Sequence, residues 1–178
     1  ISSIELLDTP DLPVVKKHGL ECAIVSFPTI DGPEGVKVGK IEHGLNNPAY
    51  HDLLVKAYEP WLKASAEAGA DKVICFSGNR SGMDDEVGLK NCAEGLKKLL
   101  PLAEKYKITL VMELLNSRVN HRDYMCDKSA WGVELLTSTT CKSWKVISSP
   151  PFVVTISTLH ITTQVAFLVA TKSMTPRN

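Results

Sequence analysis

Glu113 closes a run of strand-forming residues, Ile108 to Met112, and an amide, Asn116, stands three positions further on. Continuous apolar runs of this length are how strands buried on both faces of a parallel sheet read. Folds built on such sheets keep their reactive groups at the carboxyl ends of the strands, so Glu113 is the first candidate for a catalytic residue. A carboxylate there can bind a hard divalent ion through oxygen, or move a proton once its pKa is raised. An acid that simply opens a loop occupies the same position, and position alone leaves both readings open. The following segment, Leu114 to Tyr124, is dense in polar groups, but His121 is its only histidine. It lacks the paired histidines of hydrolytic zinc centres, and no G-x-S-x-G elbow marks a serine nucleophile. Carboxylate chemistry is what remains.

Two other segments hold candidates. Ser77 to Gly82, SGNRSG, precedes a helix start. Free backbone N–H groups with Asn79 and the Arg80 guanidinium can hold an anionic group there, although a turn with a solvated arginine uses the same residues. The glycine spacing does not fit a dinucleotide fingerprint. The long glycine-containing stretch from Ser26 to Asn47 carries Glu42 and His43, which could touch a ligand on a binding loop of this length.

The elements that must position these groups alternate. Ser3 to Leu7, Leu20 to Val25, Lys72 to Ser77 and Ile108 to Glu113 have the length of strands. Between the first two, Thr9 to His18 has acid early, base late and Gly19 at its end, the order of a short helix. From Pro48 to Gly69 the apolar residues Tyr50, Leu53, Leu54, Ala57, Tyr58, Trp61, Leu62 and Ala66 recur at helical spacing, with Pro60 expected to bend the helix. From Asp84 to Tyr106, Leu89, Cys92, Ala93, Leu96, Leu99, Leu100 and Ala103 share a face, and acids crowd the start as a helix cap. Strand and helix in alternation, with connections too long for hairpins, predict an α/β fold with a parallel sheet, either open or part of a barrel.

Composition excludes several classes. The 178 residues are 44% hydrophobic and 22% charged, which suits one globular domain. Formal net charge is zero, so there is no electrostatic footprint for nucleic acid or an anionic membrane. The five cysteines, Cys22, Cys75, Cys92, Cys126 and Cys141, include no C-x-x-C pair, which favours reduced, packing cysteines and a cytoplasmic setting. No signal peptide is visible at the start. Beyond Glu134 the composition changes. No acid follows it, the only formal charges are Lys142, Lys145, Lys172 and Arg177, and serine and threonine abound. Polar residues interrupt the uncharged stretch throughout, which argues against a membrane span and suits strands or disorder.

Several of these segments together resemble the hydroxypyruvate isomerase family, within the xylose isomerase-like TIM-barrel superfamily. The resemblance rests on SIELL, VICFSGNRSGMDDE, GLKNCAEGLKKLLPLAEKYKITLVMELLNS and HRDYMCDKSAWGVELL, and extends from Ser3 to about Leu136. It implies an intramolecular isomerase interconverting hydroxypyruvate and tartronate semialdehyde through an enediol. Glu113 matches the first of two catalytic glutamates and a ligand of a divalent ion, Mg or Mn. Arg80, Asn79, Asn116 and His43 are then expected to bind substrate. The implied partner is a small hydroxy-carbonyl compound, not nucleic acid or membrane, and a homo-oligomer could complete the site across subunits.

The resemblance also implies what to expect of the ends. The family continues after WGVELL with a strand bearing an aspartate and a histidine, then with strands supplying a further ligand and the second glutamate. It also has a strand ahead of Ile1. The expectation is therefore a partial TIM barrel, about strands two to five of eight, over residues 1–136, followed by a divergent Ser/Thr-rich tail over 137–178 that is disordered or non-native. A complete barrel runs to about 250 residues. A fragment of this kind is expected to be weakly active or inactive, with an incomplete metal site. A non-catalytic binding product is the alternative, and a nuclease acting on damaged DNA is a third, disfavoured by the zero net charge.

Overall fold

The structure, a computed structural model, describes residues 2–139, 153–154 and 165–169. Its frame is a set of parallel strands in chain order, each joined to the next by a helix. Strands β1 (Ser3–Ile4) and β2 (Glu21–Cys22) pair in parallel. Further bridges at Leu7↔Val25 and Val25↔Val73 carry the array across to β5 (Lys72–Cys75). There Val25 donates its N–H to Lys72 and accepts from Ile74, at 2.9 and 3.1 Å. Strand β5 then pairs in parallel with β6 (Thr109–Leu114), Cys75 opposite Met112. The four apolar runs expected to be strands are these four. The first is interrupted because Leu6 takes φ 59°, a left-handed value that breaks the ladder between Ile4 and Leu7.

The helices follow the apolar stripes. Helix α1 (Leu12–Lys17) continues a single 3-10 turn at Thr9–Asp11 and stops at Gly19, φ 67°. Helix α2 (His51–Ala68) runs unbroken past Pro60 and buries Leu54, Ala57, Tyr58 and Leu62. Helix α3 (Asp85–Tyr106) begins where the Asp84 carboxylate accepts the Glu86 N–H at 2.8 Å, which is the cap that its acidic start predicts. It buries Cys92, Ala93, Leu96, Leu99, Leu100 and Ala103, and α4 (Ser129–Thr139) packs beside it through Trp131 and Leu135. The helix continues without a break over 137–139.

Two features lie outside the four predicted strands. The long segment after β2 contains a hairpin, β3 (Ile30–Asp31) with β4 (Lys37–Val38), turning through Pro33 and Gly35. In the tail, β8 (Val165–Val169) adds to β6 in parallel and β7 (Val153–Val154) pairs with β8 in antiparallel fashion. An uncharged run such as VAFLV is suited to that position. The edge of β6 is thus covered by a neighbouring strand. The other tail residues, Cys141 included, lie outside the described residues. Among the described residues the strands do not close into a barrel, so the fold is a partial TIM barrel. No helix among them is long and apolar enough to cross a membrane.

Candidate active site

Along β6 the side chains alternate across the sheet. Leu110 and Met112 are fully buried, whereas Glu113 is only part-buried and opens into a cavity of about 970 Å³. Leu6, Asp8, Ser26, Phe76 and His121 line the same space. They come from the carboxyl ends of β1, β2, β5 and β6 or the loops that follow, the end at which parallel α/β sheets collect reactive groups. Much of the wall is apolar. Phe27 and Phe76 meet edge to face at 4.7 Å, and the Trp61 indole N–H donates to the Ser26 carbonyl at 2.9 Å. Burial against this wall, with the Glu5 carboxylate adding repulsion, pushes the Glu113 carboxyl above its ordinary pKa.

The backbone of Glu113 is held firmly. The Tyr124 hydroxyl, with no exposed surface, donates to the Glu113 carbonyl at 3.0 Å and accepts the Ser77 N–H at 3.0 Å. A phenol therefore joins the ends of β5 and β6. Burial keeps its pKa well above the ordinary tyrosine value, so it remains a donor. Nothing in the sequence pattern singles out Tyr124 for this task. Its single signal is that it is the one aromatic ring besides His121 in a segment rich in polar and charged residues.

The other predicted site residues are not gathered around Glu113. Arg80 is committed to protein partners. Its Nε donates to Asp85 at 2.8 Å, Nη2 to Asp127 at 2.9 Å and to the Met125 carbonyl at 3.2 Å, and Nη1 to the Tyr124 carbonyl. Burial alone would lower its pKa, but the bonds to Asp85 and Asp127 raise it. Asn79 is engaged through its main chain, its N–H to Glu42 at 3.0 Å and its carbonyl from the Asn46 amide at 2.6 Å. The Asn116 side-chain Oδ1 accepts the Arg118 N–H at 2.9 Å, forming a turn, and Asn116 lines a separate smaller pocket with Ser117 and Lys128. His43 sits edge-on to Tyr50 at 5.9 Å, outside the lining of the Glu113 cavity. Asp8, Ser26 and His121, none of them predicted as site residues, share that cavity instead.

The structure also explains the SGNR sequence. Gly78 has φ 101°, and a Cβ there would lie 2.2 Å from Asn46 Oδ1. The close approach lets the returning loop pair with the end of β5, where Leu45 and Asn46 donate to Phe76 and Ser77 at 3.1 and 2.7 Å. Glycine is required at this crossing. Cys75 and Cys92 are fully buried behind the sheet, with the Cys75 thiol pushed up to about 12, as packing cysteines should be.

A divalent ion does not fit the described residues. No three His, Cys, Asp or Glu side chains among them come together to hold one. Glu113 contributes one carboxylate, and Asp8, which shares its cavity, accepts a hydrogen bond from Ser26.

Comparison with known proteins agrees with the fold. The family model described as Xylose isomerase-like TIM barrel matches residues 14–147. The chain belongs to this family. Solved structures with similar folds include an AP endonuclease, family 2, from Brucella melitensis, with TM-score 0.60, 19% identity, and coverage of 78% of this chain and 54% of that one. A D-psicose 3-epimerase from Clostridium cellulolyticum gives TM-score 0.56 and 14% identity over 78% of this chain and 50% of that one. A 3-keto-D-glucoside 4-epimerase from E. coli gives 0.53 and 15% over 74% and 50%. This xylose isomerase-like chain thus spans about half the length of the structures it matches. No curated protein sequence matches it.

Proposed function

We propose that this chain supplies Glu113 as the proton-transferring carboxylate of an isomerase acting on a small hydroxy-carbonyl compound, hydroxypyruvate being the substrate and tartronate semialdehyde the product. One observation carries the reading. The Glu113 carboxyl, pushed above its ordinary pKa by burial, faces a cavity at the carboxyl ends of the strands. A base poised nearer neutrality than an ordinary glutamate is suited to moving a proton both ways.

In the reaction Glu113 takes a proton from the hydroxymethyl carbon. The C–H electron pair becomes the carbon–carbon double bond, and the keto oxygen takes a proton from water to give the enediol. Protonated Glu113 then returns its proton to the former keto carbon while water accepts the hydroxyl proton at the other carbon, which forms the aldehyde with no change in overall oxidation state. The apolar wall of Phe27, Phe76 and Trp61 limits water around the enediol, and His121 in the same cavity is available to hydrogen-bond a substrate oxygen. No step is routed through a metal, since the described residues do not assemble a site for one.

The same shortage of neighbouring acids supports the second reading, a non-catalytic binding product. The nuclease named among the similar folds finds no echo in the charge of this chain, because a net charge of zero gives no field for a phosphate backbone. Exchange of hydroxypyruvate hydroxymethyl protons for deuterium tests the proposal, since it needs only the first proton transfer. The unsubstituted chain should accelerate exchange over buffer, and Glu113→Gln should return it to background. Equal exchange rates for the two would refute the assignment.

A further inference from the structure

We infer that Lys56 binds the carboxylate of the substrate and so selects anionic over neutral hydroxy-carbonyl compounds. This rests on the reading of the Glu113 cavity as the substrate site, whereas the arrangement of charge around it stands on its own. Lys56, Ala57, Pro60 and Trp61 form the stripe of α2 that lines this cavity. Two side-chain bonds clamp the same stretch of helix to the sheet. The Trp61 indole N–H donates to the Ser26 carbonyl after β2, and the Tyr58 hydroxyl donates to the Ile74 carbonyl on β5, each at 2.9 Å. The root of Lys56 is thereby fixed beside the cavity, while its flexible four-carbon stem lets the ammonium swing to an incoming group.

The cavity needs such a cation before it can take an anion. Asp8 and Glu113 bring two carboxyl groups into its lining, and among the described residues Lys56 is the one lysine or arginine there. A substrate carboxylate set against Phe27, Phe76 and Ile30 loses hydration that only a hydrogen-bonding partner replaces. Lys56 is free to be that partner. Asp52 and Glu59 stand four residues before it and three after it on α2, the spacings at which helical side chains pair. Both are taken by lysines of α3, Asp52 by Lys98 at 2.7 Å and Glu59 by Lys105 at 3.5 Å. The other lysine of α2, Lys63, lies 3.9 Å from Glu67. Lys56 has no carboxylate partner among the described residues, so its charge remains for a ligand.

The test compares hydroxypyruvate with hydroxyacetone, which carries a methyl group in place of the carboxylate. Binding to the full chain is followed by NMR titration with each compound in a Glu113→Gln background, so that the readout does not depend on turnover. Hydroxypyruvate should bind the more tightly, and adding Lys56→Gln should weaken it about tenfold, the worth of one charge-assisted hydrogen bond. Hydroxyacetone binding should stay as it was. Lys56 is exposed, so its replacement leaves the fold intact, and Lys63→Gln removes the same charge from the same helix as a control that should change neither compound. No binding of hydroxypyruvate, unchanged binding in Lys56→Gln, or an equal loss for hydroxyacetone or in Lys63→Gln would overturn the inference. A loss confined to hydroxypyruvate and Lys56→Gln, in a chain that does not accelerate hydroxymethyl proton exchange, would uphold the carboxylate site and remove the isomerase reading.

Discussion

The two sides of the partial barrel differ in how their strand ends are held. On the β5–β6 side, Arg80, Asp127, Ser117 and Tyr124 form a continuous network in which main-chain groups as well as side chains are satisfied. On the β1–β2 side the ladder is broken at Leu6, and Leu6 and Ile4 are 50% and 38% exposed. The one side-chain bond across the strand ends there is Ser26 to Asp8 among the described residues. The cavity of Glu113 lies between a rigid wall and a loose one. Glu113 is thereby fixed from the side of its own strand while the opposite side stays open.

If this contrast is right, substitutions on the rigid side should cost the most. Arg80→Met strands Asp127, whose side chain is only 10% exposed, together with two carbonyls. The expected loss is about 3 kcal/mol in urea unfolding; a loss below about 1 kcal/mol would show the network to be ornamental. Gly78→Ala should follow, at about 2 kcal/mol, because its positive φ and the close Asn46 leave no room for a methyl group. On the loose side, Ser26→Ala removes a single bond to Asp8 and should cost only about 0.5–1 kcal/mol in the same measurement. Parity between Ser26→Ala and Arg80→Met would erase the distinction between the walls.

The smallest effect, and the one with a pH signature, belongs to Glu113→Gln. A carboxyl whose folded pKa is raised binds its proton more tightly in the native state, so its ionised form weakens the fold once pH exceeds that folded pKa. The glutamine variant should therefore be the more stable at neutral pH, by less than about 1 kcal/mol because the group is partly solvated. The difference should vanish below the unfolded pKa. Thermal melts across pH would show it, and a variant less stable at neutral pH would contradict the shift.

Much of the frame was legible in the sequence. The four strands are continuous apolar runs, and the stripes of α2 and α3 recur at helical spacing, so burial follows from pattern alone. Glu113 was legible for the same reason, as the acid closing the strand that places it. The fate of Arg80 was not. Two of its acceptors are main-chain carbonyls, which any residue provides, and their approach depends on how two distant loops fold back. The Tyr124 hydroxyl was hidden likewise, since its bonds go to backbone groups 47 and 11 positions away. The cavity partners Asp8 and Ser26 carry no motif, and meet only because Leu7 and Val25 pair in register. The hairpin within the long loop was signalled by its Asp-Gly-Pro turn region, but strands of two residues are too short to show a period.

The decisive measurement is the titration midpoint of the Glu113 carboxyl in the unsubstituted chain. It should lie above 4.5 and fall when Glu5→Gln removes the neighbouring charge, while much of the elevation persists because burial is the larger cause. A midpoint at or below 4.5 would show a solvated surface acid at the end of β6 and would contradict the central claim.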